Sequence, residues 1–479
     1  MRRHLYVLGR LTLVVGTVAH PSLAQEPAEL PTPTSAHEYV TVSAPTIAFT
    51  HARVIDGTGA PARTEQTVVV RDGKIAAVGD AASVAIPAGA QIIDLTGKSL
   101  LPGLVMVHEH MFYPTGRGNY GEMAYSFPRM YLGGGATTIR TGGSMHPYAD
   151  LNVKKYVDAG QIPGPKIDVT GPYLTGPGIG LLQFHELADS ADARRTVAQW
   201  AELGATSFKA YMHITRDELR AAADEAHKRG FKITGHLCSV TFREAADAGI
   251  DNLEHGLVVA TDFVPDKKPD VCTAATASIA ALDMQSPALA SLIRTLVDKH
   301  VAVTSTLVVF ENLTPMRPPL AERSLDAMMP DTRLQYLTAR ARIAGSTVSP
   351  WIAMFKKELQ FEKMFADAGG LLLAGSDPTG IGGVIPGYSN QRELELLVEA
   401  GFTPLEAIKI STLNGATYLG RASRVGSIAL GKDADLLVVA GDPSTNIADI
   451  EKLETVFKDG VGYDSAKLLA SGKGSVGAQ

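Results

Sequence analysis

Short apolar runs alternate with helix-periodic stretches through the middle of the chain, and strand-like blocks stand at both ends. Eight apolar runs recur, at residues 104–108, 136–140, 167–171, 206–211, 232–236, 252–255, 301–306 and 371–376. Between them, residues 193–203, 216–229, 242–248 and 392–400 space their apolar positions three to four apart, as an amphipathic helix does. Strands buried on both faces read as continuous apolar runs, and alternation with helices joins such strands in parallel. Eight strand-then-helix units predict an α/β chain whose centre is a (β/α)8 TIM barrel over residues 104–418.

The terminal blocks follow another rule. Residues 47–49, 53–56 and 67–79 are β-rich, and Asp72-Gly73 inside the last is a hairpin signal. Residues 426–428, 435–439 and 456–460 form a matching set near the other end. Together they predict a small β-sandwich domain built from residues 45–103 and 419–468, with 469–479 as a flexible tail. Residues 265–298 and 312–342 exceed ordinary loop length and are expected to be insertions over the barrel mouth. The glycine-rich stretch 380–387 is expected to be a mobile loop.

The first residues read as an export signal. Arg2, Arg3 and Arg10 precede or flank the apolar run 11–18, and Ser22-Leu23-Ala24 offers small residues at a cleavage site. This predicts a signal peptide over 1–24, a Pro- and Glu-rich linker over 25–44, and a periplasmic or secreted protein. The only cysteines, Cys238 and Cys272, are read as free thiols, although an oxidising compartment would permit one bridge. Composition adds exclusions. The 479 residues are 45% hydrophobic and 20% charged, with a net charge of −6 and no basic stripe, so nucleic acid and anionic membrane are poor partners. No later run suits a membrane span.

Chemistry gathers where a barrel keeps its active site, at the carboxyl ends of the strands. His108 and His110 end the first run, two residues apart, so on a strand their imidazoles share a face while Glu109 points away. Lys209 lies near the end of the fourth run, His236 ends the fifth, His255 the sixth, and Asp377 follows the eighth. Singly, each histidine reads equally as a core residue and Asp377 as a turn or cap residue. As a set on separate strand ends they point to a metal centre. Lys209 would add positive charge there unless burial and cations depress its amine, and a neutral amine can add carbon dioxide to become an anionic carbamate. A solvent-directed or acid-paired lysine is the other reading.

These residues lie in motifs that resemble the amidohydrolase superfamily, in its binuclear branch bridged by a carboxylated lysine. The motifs run from Leu101-Pro102-Gly103 to His108-Glu109-His110, then Phe208-Lys209-Ala210, Gly235-His236, Glu254-His255-Gly256 and Gly375-Ser376-Asp377. The resemblance implies two divalent metal ions, with zinc suited to the donors. One would take His108, His110 and Asp377, the other His236 and His255, with carboxylated Lys209 and a hydroxide between them. It implies hydrolysis of an amide by that hydroxide, with Asp377 as general base and then acid.

Within the superfamily, the phrase Arg392-Glu393-Leu394-Glu395 and the run Gly135-Ala136-Thr137-Thr138-Ile139-Arg140 resemble the prolidase-like and ochratoxin-hydrolysing group. A small peptide-like or N-acyl amino acid amide and a homo-oligomer are thereby implied. Arg140 is a candidate for binding a substrate carboxylate, a structural salt bridge being the alternative. Tyr211 is a candidate donor to a carboxylate or oxyanion. Thr141, Asn390 and Gln391 depart from that group's pattern and weaken the dipeptide assignment. His146 and His185 stand in loops after the second and third strands. Ser239 occupies the place of a deaminase's proton-shuttling Glu, which disfavours a mononuclear deaminase. A lactonase, carboxylesterase or phosphotriesterase with the same metal cage stays open.

Overall fold

The computed structural model describes residues 35–116 and 119–478. The expected signal peptide and the first ten residues of the linker lie outside the described residues.

Six strands precede the parallel core: β1 (Val40–Val42), β2 (Thr46–Val54), β3 (Arg63–Arg71), β4 (Lys74–Asp80), β5 (Gln91–Asp94) and β6 (Ser99–Pro102). The core begins with β7 (Leu104–Glu109). A hairpin of β8 (Phe112–Gly116) and β9 (Asn119–Glu122) rises from it. Then come β10 (Ala136–Thr141), β11 (Lys166–Asp168), β12 (Thr170–Leu174), β13 (Ser207–Ala210), β14 (Lys232–Gly235), β15 (Asn252–Glu254), β16 (Ala302–Ser305) and β17 (Leu372–Ala374). The chain closes with β18 (Leu436–Val439), β19 (Leu453–Lys458) and β20 (Val461–Asp464).

All eight apolar runs of the sequence appear as strands, the third split at Val169 into β11 and β12. They form two parallel sheets, β11-β10-β7 and β12-β13-β14-β15-β16-β17. The sheets meet at both seams. At one, Thr170 N donates to Thr141 Oγ1 at 2.8 Å. At the other, the amides of Ser376 and Asp377 donate to His108 O at 3.1 and 3.0 Å. Short turns after β13 and β14 feed helices Arg216–Lys228 and Phe242–Ala248. Thr215 with Glu218, and Thr241 with Glu244, close capping boxes that start them.

The terminal strands do combine across the chain, as expected. They make one continuous nine-stranded sheet, in the order β1-β20-β19-β18-β6-β2-β3-β4 with β5 added to β2, where two stacked sheets were anticipated. The antiparallel register of β6 with β18, Leu100 opposite Val438, stitches the two halves. Ile47, Phe49, Val68, Val70, Leu436, Val438 and Phe457 form its own apolar core.

Several boundaries move. The later part of the expected linker is structured, because Val40–Val42 form β1, which pairs with β20, Val40 opposite Tyr463. The tail is anchored and not flexible: Val476 is buried, its amide donates to Ala327 O at 2.9 Å, and its carbonyl accepts from Met329 N at 2.9 Å. The stretch 380–387 is packed, with Val384 and Ile385 fully buried. The later half of the insertion at 265–298 is helix Pro287–Asp298, whose buried Leu289, Leu292 and Leu296 make it an ordinary covering helix. Residues of 312–342 pack on the glycine-rich stretch, Asn312 Nδ2 donating to Gly383 O at 2.8 Å and Tyr336 Oη to Asn312 Oδ1 at 3.0 Å. Among the described residues no helix is long and apolar enough to cross a membrane.

Candidate metal centre

Strand direction brings the predicted ligands together. His108 and His110 leave the end of β7, Lys209 lies in β13, and His236 and His255 follow β14 and β15 directly. Asp377 follows β17 and turns back on His108 through the seam bonds. The His108 and His255 rings lie 4.7 Å apart, His236 and His255 4.6 Å, and His108 and His110 5.2 Å, centroid to centroid. Ligand-capable atoms of His108, His255 and Asp377 fall within 4.8 Å of one another. His110 Nε2 is 3.2 Å from Asp377 Oδ1, and His108 Nε2 is 3.1 Å from Lys209 Nζ. All six predicted residues converge; His236 alone is partly exposed, so the cluster opens to solvent on its side.

Local backbone is bent to make this possible. His255 and Asp377 hold φ of 68° and 53°, left-handed values uncommon away from glycine. Gly375 lets the last strand close on the first, because a Cβ there would stand 2.4 Å from His108 Cβ and 2.7 Å from its amide nitrogen.

The donor set suits a divalent cation. Burial holds His110 down to about 4 and His236 to about 3, so both imidazoles are neutral. Burial alone would raise Asp377, but His108, His110 and His255 outweigh it and keep the carboxylate ionised. His108 Nδ1 is bound to Glu254 Oε2 at 2.7 Å, His110 Nδ1 to Gly143 O at 3.1 Å and His255 Nδ1 to Thr306 Oγ1 at 2.8 Å. Outer partners on Nδ1 leave the Nε2 lone pairs free for a metal. Lys209 is buried, and among the described residues no carboxylate comes within ion-pair distance of its Nζ. Burial lowers its amine to about 8, with Glu254 and Asp377 opposing.

Other expectations change. Arg140 is fully buried, Nη2 donating to Glu254 Oε1 at 2.5 Å and Nη1 to Tyr418 Oη at 3.2 Å, the salt-bridge alternative for this residue. Tyr211 does reach the centre, its ring 5.1 Å from that of His236. Glu109 points away, as predicted, and accepts from Ser376 N and Asn390 Nδ2. Asn390 therefore braces β7. Cys238 is bridged to Cys272, Cα to Cα 4.6 Å, because the loop after β15 folds back over the one after β14. His146 faces Glu122 at 3.4 Å and His185 pairs with Asp192 at 2.8 Å on the exterior. Glu254 is the residue whose role the sequence reading missed; its place directly before His255, as a carboxylate at the end of buried strand β15, was the available signal.

Known proteins point the same way. The enamidase of Eubacterium barkeri is 24% identical over 423 residues, covering 84% of this chain and 90% of the enamidase. The crystal structure of a putative prolidase from Bifidobacterium longum superposes with a TM-score of 0.65 at 26% identity, covering 89% of this chain and 98% of that one. An A. niger ochratoxinase gives 0.62 at 18%, covering 88% and 96%. The sequence profile of the Amidohydrolase family matches residues 99–462, and with the site geometry it places this chain in that family.

Proposed function

We propose that the protein is a binuclear metal-dependent amidohydrolase that cleaves an amide bond in a small peptide-like or N-acyl amino acid substrate. The observation that carries this reading is the convergence of neutral imidazoles, an ionised carboxylate and an uncompensated buried lysine on the strand ends. The eight parallel runs, joined at both seams, are read as one (β/α)8 barrel with its mouth at this cluster. His108, His110 and Asp377 would hold one divalent ion and His236 and His255 the other, with Lys209, as its carbamate, supplying a shared anionic ligand. The carbamate forms when the neutral Nζ adds carbon dioxide and releases a proton. Zinc suits such donors.

When bound, the ions lower the pKa of water and polarise the scissile carbonyl. The chain supplies the rest. Asp377 takes the proton of the attacking water and returns it to the leaving nitrogen. Glu254, Gly143 and Thr306 hold three imidazoles in orientation. Relatives named as enamidase and prolidase favour a C–N bond as the one cut. Work outside the cytoplasm, in the periplasm or secreted, fits the Cys238–Cys272 bridge, which persists in oxidising compartments.

Elemental analysis should find two metal equivalents per chain. Lys209→Ala should lose metal and activity and recover part of both with a short carboxylic acid such as propionate. Full activity in Lys209→Ala would refute the bridge.

A further inference from the structure

A cavity opens at the other end of the strands. Ser207 begins β13 and Lys232 begins β14, the strands whose carboxyl ends carry Lys209 and lead to His236. With Arg140, Asp168, Tyr418 and Arg421 they help to wall a hollow of about 260 Å³. Its cations are unequally matched. Arg421 Nη2 donates to Asp168 Oδ1 at 2.6 Å, and Arg140 Nη2 to Glu254. Lys232 is exposed at the rim, its ammonium 4.7 Å from the centroid of the Tyr418 ring. Among the described residues no carboxylate lies within ion-pair distance of it. Asp251, whose charge reaches Tyr418, is paired with His227 at 2.9 Å.

Three buried atoms of the same walls lack a hydrogen-bond partner: Arg140 Nε, Ser207 Oγ and Asp168 Oδ2. Their residues are 0%, 4% and 8% exposed. Buried polar atoms are nearly always satisfied, so three beside one cavity call for an occupant. The guanidinium nitrogen only donates, the hydroxyl does either, and the carboxylate oxygen accepts. An occupant that answers all three carries acceptor oxygens and a proton to give. Water has both but no charge to set against Lys232. A carboxylate has the charge but no proton. Inorganic phosphate has the charge and the oxygens, and it keeps a P–OH across the neutral range.

We propose that this cavity is a binding site for inorganic phosphate. Lys232, Ser207 and the Arg140 Nε donate to its oxygens, and Asp168 Oδ2 accepts from its hydroxyl. The site is separate from the candidate metal centre and does not depend on which bond that centre cleaves.

Titration calorimetry of the metal-loaded protein with phosphate tests this, with Lys232→Gln, Lys232→Arg and Ser207→Ala beside wild type. Phosphate also meets metal ions, so the cavity is read as the binding event that the substitutions change. A hydrogen bond to a charged group corresponds to about a tenfold change. Lys232→Gln and Ser207→Ala should each weaken that event about tenfold, while Lys232→Arg, which keeps the charge, should bind nearly as wild type does. Sulfate, which has no proton to give at neutral pH, should bind there at least about tenfold more weakly than phosphate. Equal phosphate binding by wild type, Lys232→Gln and Ser207→Ala would overturn the site, as would no binding at all. A loss in Lys232→Arg as large as in Lys232→Gln, or sulfate held as tightly as phosphate, would overturn it too.

Discussion

Glu254 stands between a fully buried guanidinium and an imidazole that faces the centre, and both contacts are charge-assisted. Breaking such a pair from one side leaves a buried charge uncompensated, at a cost of about 3–5 kcal/mol. Arg140→Met should therefore lower stability by that order, read from chemical denaturation, while KM of the folded enzyme stays near wild type. A raised KM with unchanged stability would return Arg140 to the substrate. Glu254→Gln should loosen His108, and loss of an outer partner of this kind weakens metal affinity by about 10–100-fold. Competition with a chromophoric chelator would measure it. At this scale the ligand types were legible in the sequence, because His-x-His and strand-end positions carry their own signal. The braces were not, since Glu254, Thr306 and Asn390 gain their meaning from residues far away in the chain.

Among the elements, the loops that follow β14 and β15 are tied by Cys238 and Cys272, 34 residues apart. Closing a loop of that length in the unfolded chain corresponds to about 3–4 kcal/mol. Cys238→Ser should lower the denaturation midpoint, and wild type in strong reductant should fall to the same value. An unchanged midpoint would show that the bridge does not form. Strand runs and the capped helices at Arg216–Lys228 and Phe242–Ala248 were readable from period and capping residues. Loop behaviour was not: glycines at 380–387 suggested mobility, yet the Asn312 and Tyr336 side chains and buried Val384 and Ile385 hold that stretch down.

For the whole molecule, the centre makes metal-free stability depend on pH. His110 and His236 titrate near 4 and 3, against 6.5 in an unfolded chain. Below 6.5 the unfolded chain binds protons that the folded site refuses, so this stability is complete above 6.5 and is lost as pH falls towards 4. Glu109 and Glu358, raised by burial to about 8 from 4.5, act in the opposite sense and lose stability as pH rises between those values. Melting of the chelator-treated protein should thus be highest at mildly acidic to neutral pH and fall on both sides. Metal should protect most on the acid side, since cations and protons compete for the same lone pairs. A flat profile from pH 4 to 8 would contradict these assignments.

Sequence by itself determined the parallel strand-and-helix order, the pairing of the two chain ends and the six residues that converge at the strand ends. Each of these rests on local periodicity or on residue type at a strand end, which the chain carries wherever it folds. Tertiary structure decided the rest: one terminal sheet, the disulfide, the anchored tail, and Arg140 as a brace. Those depend on which distant groups meet in a buried, low-dielectric interior, where an unpaired charge or donor is costly and partners far apart in the chain must be brought to it.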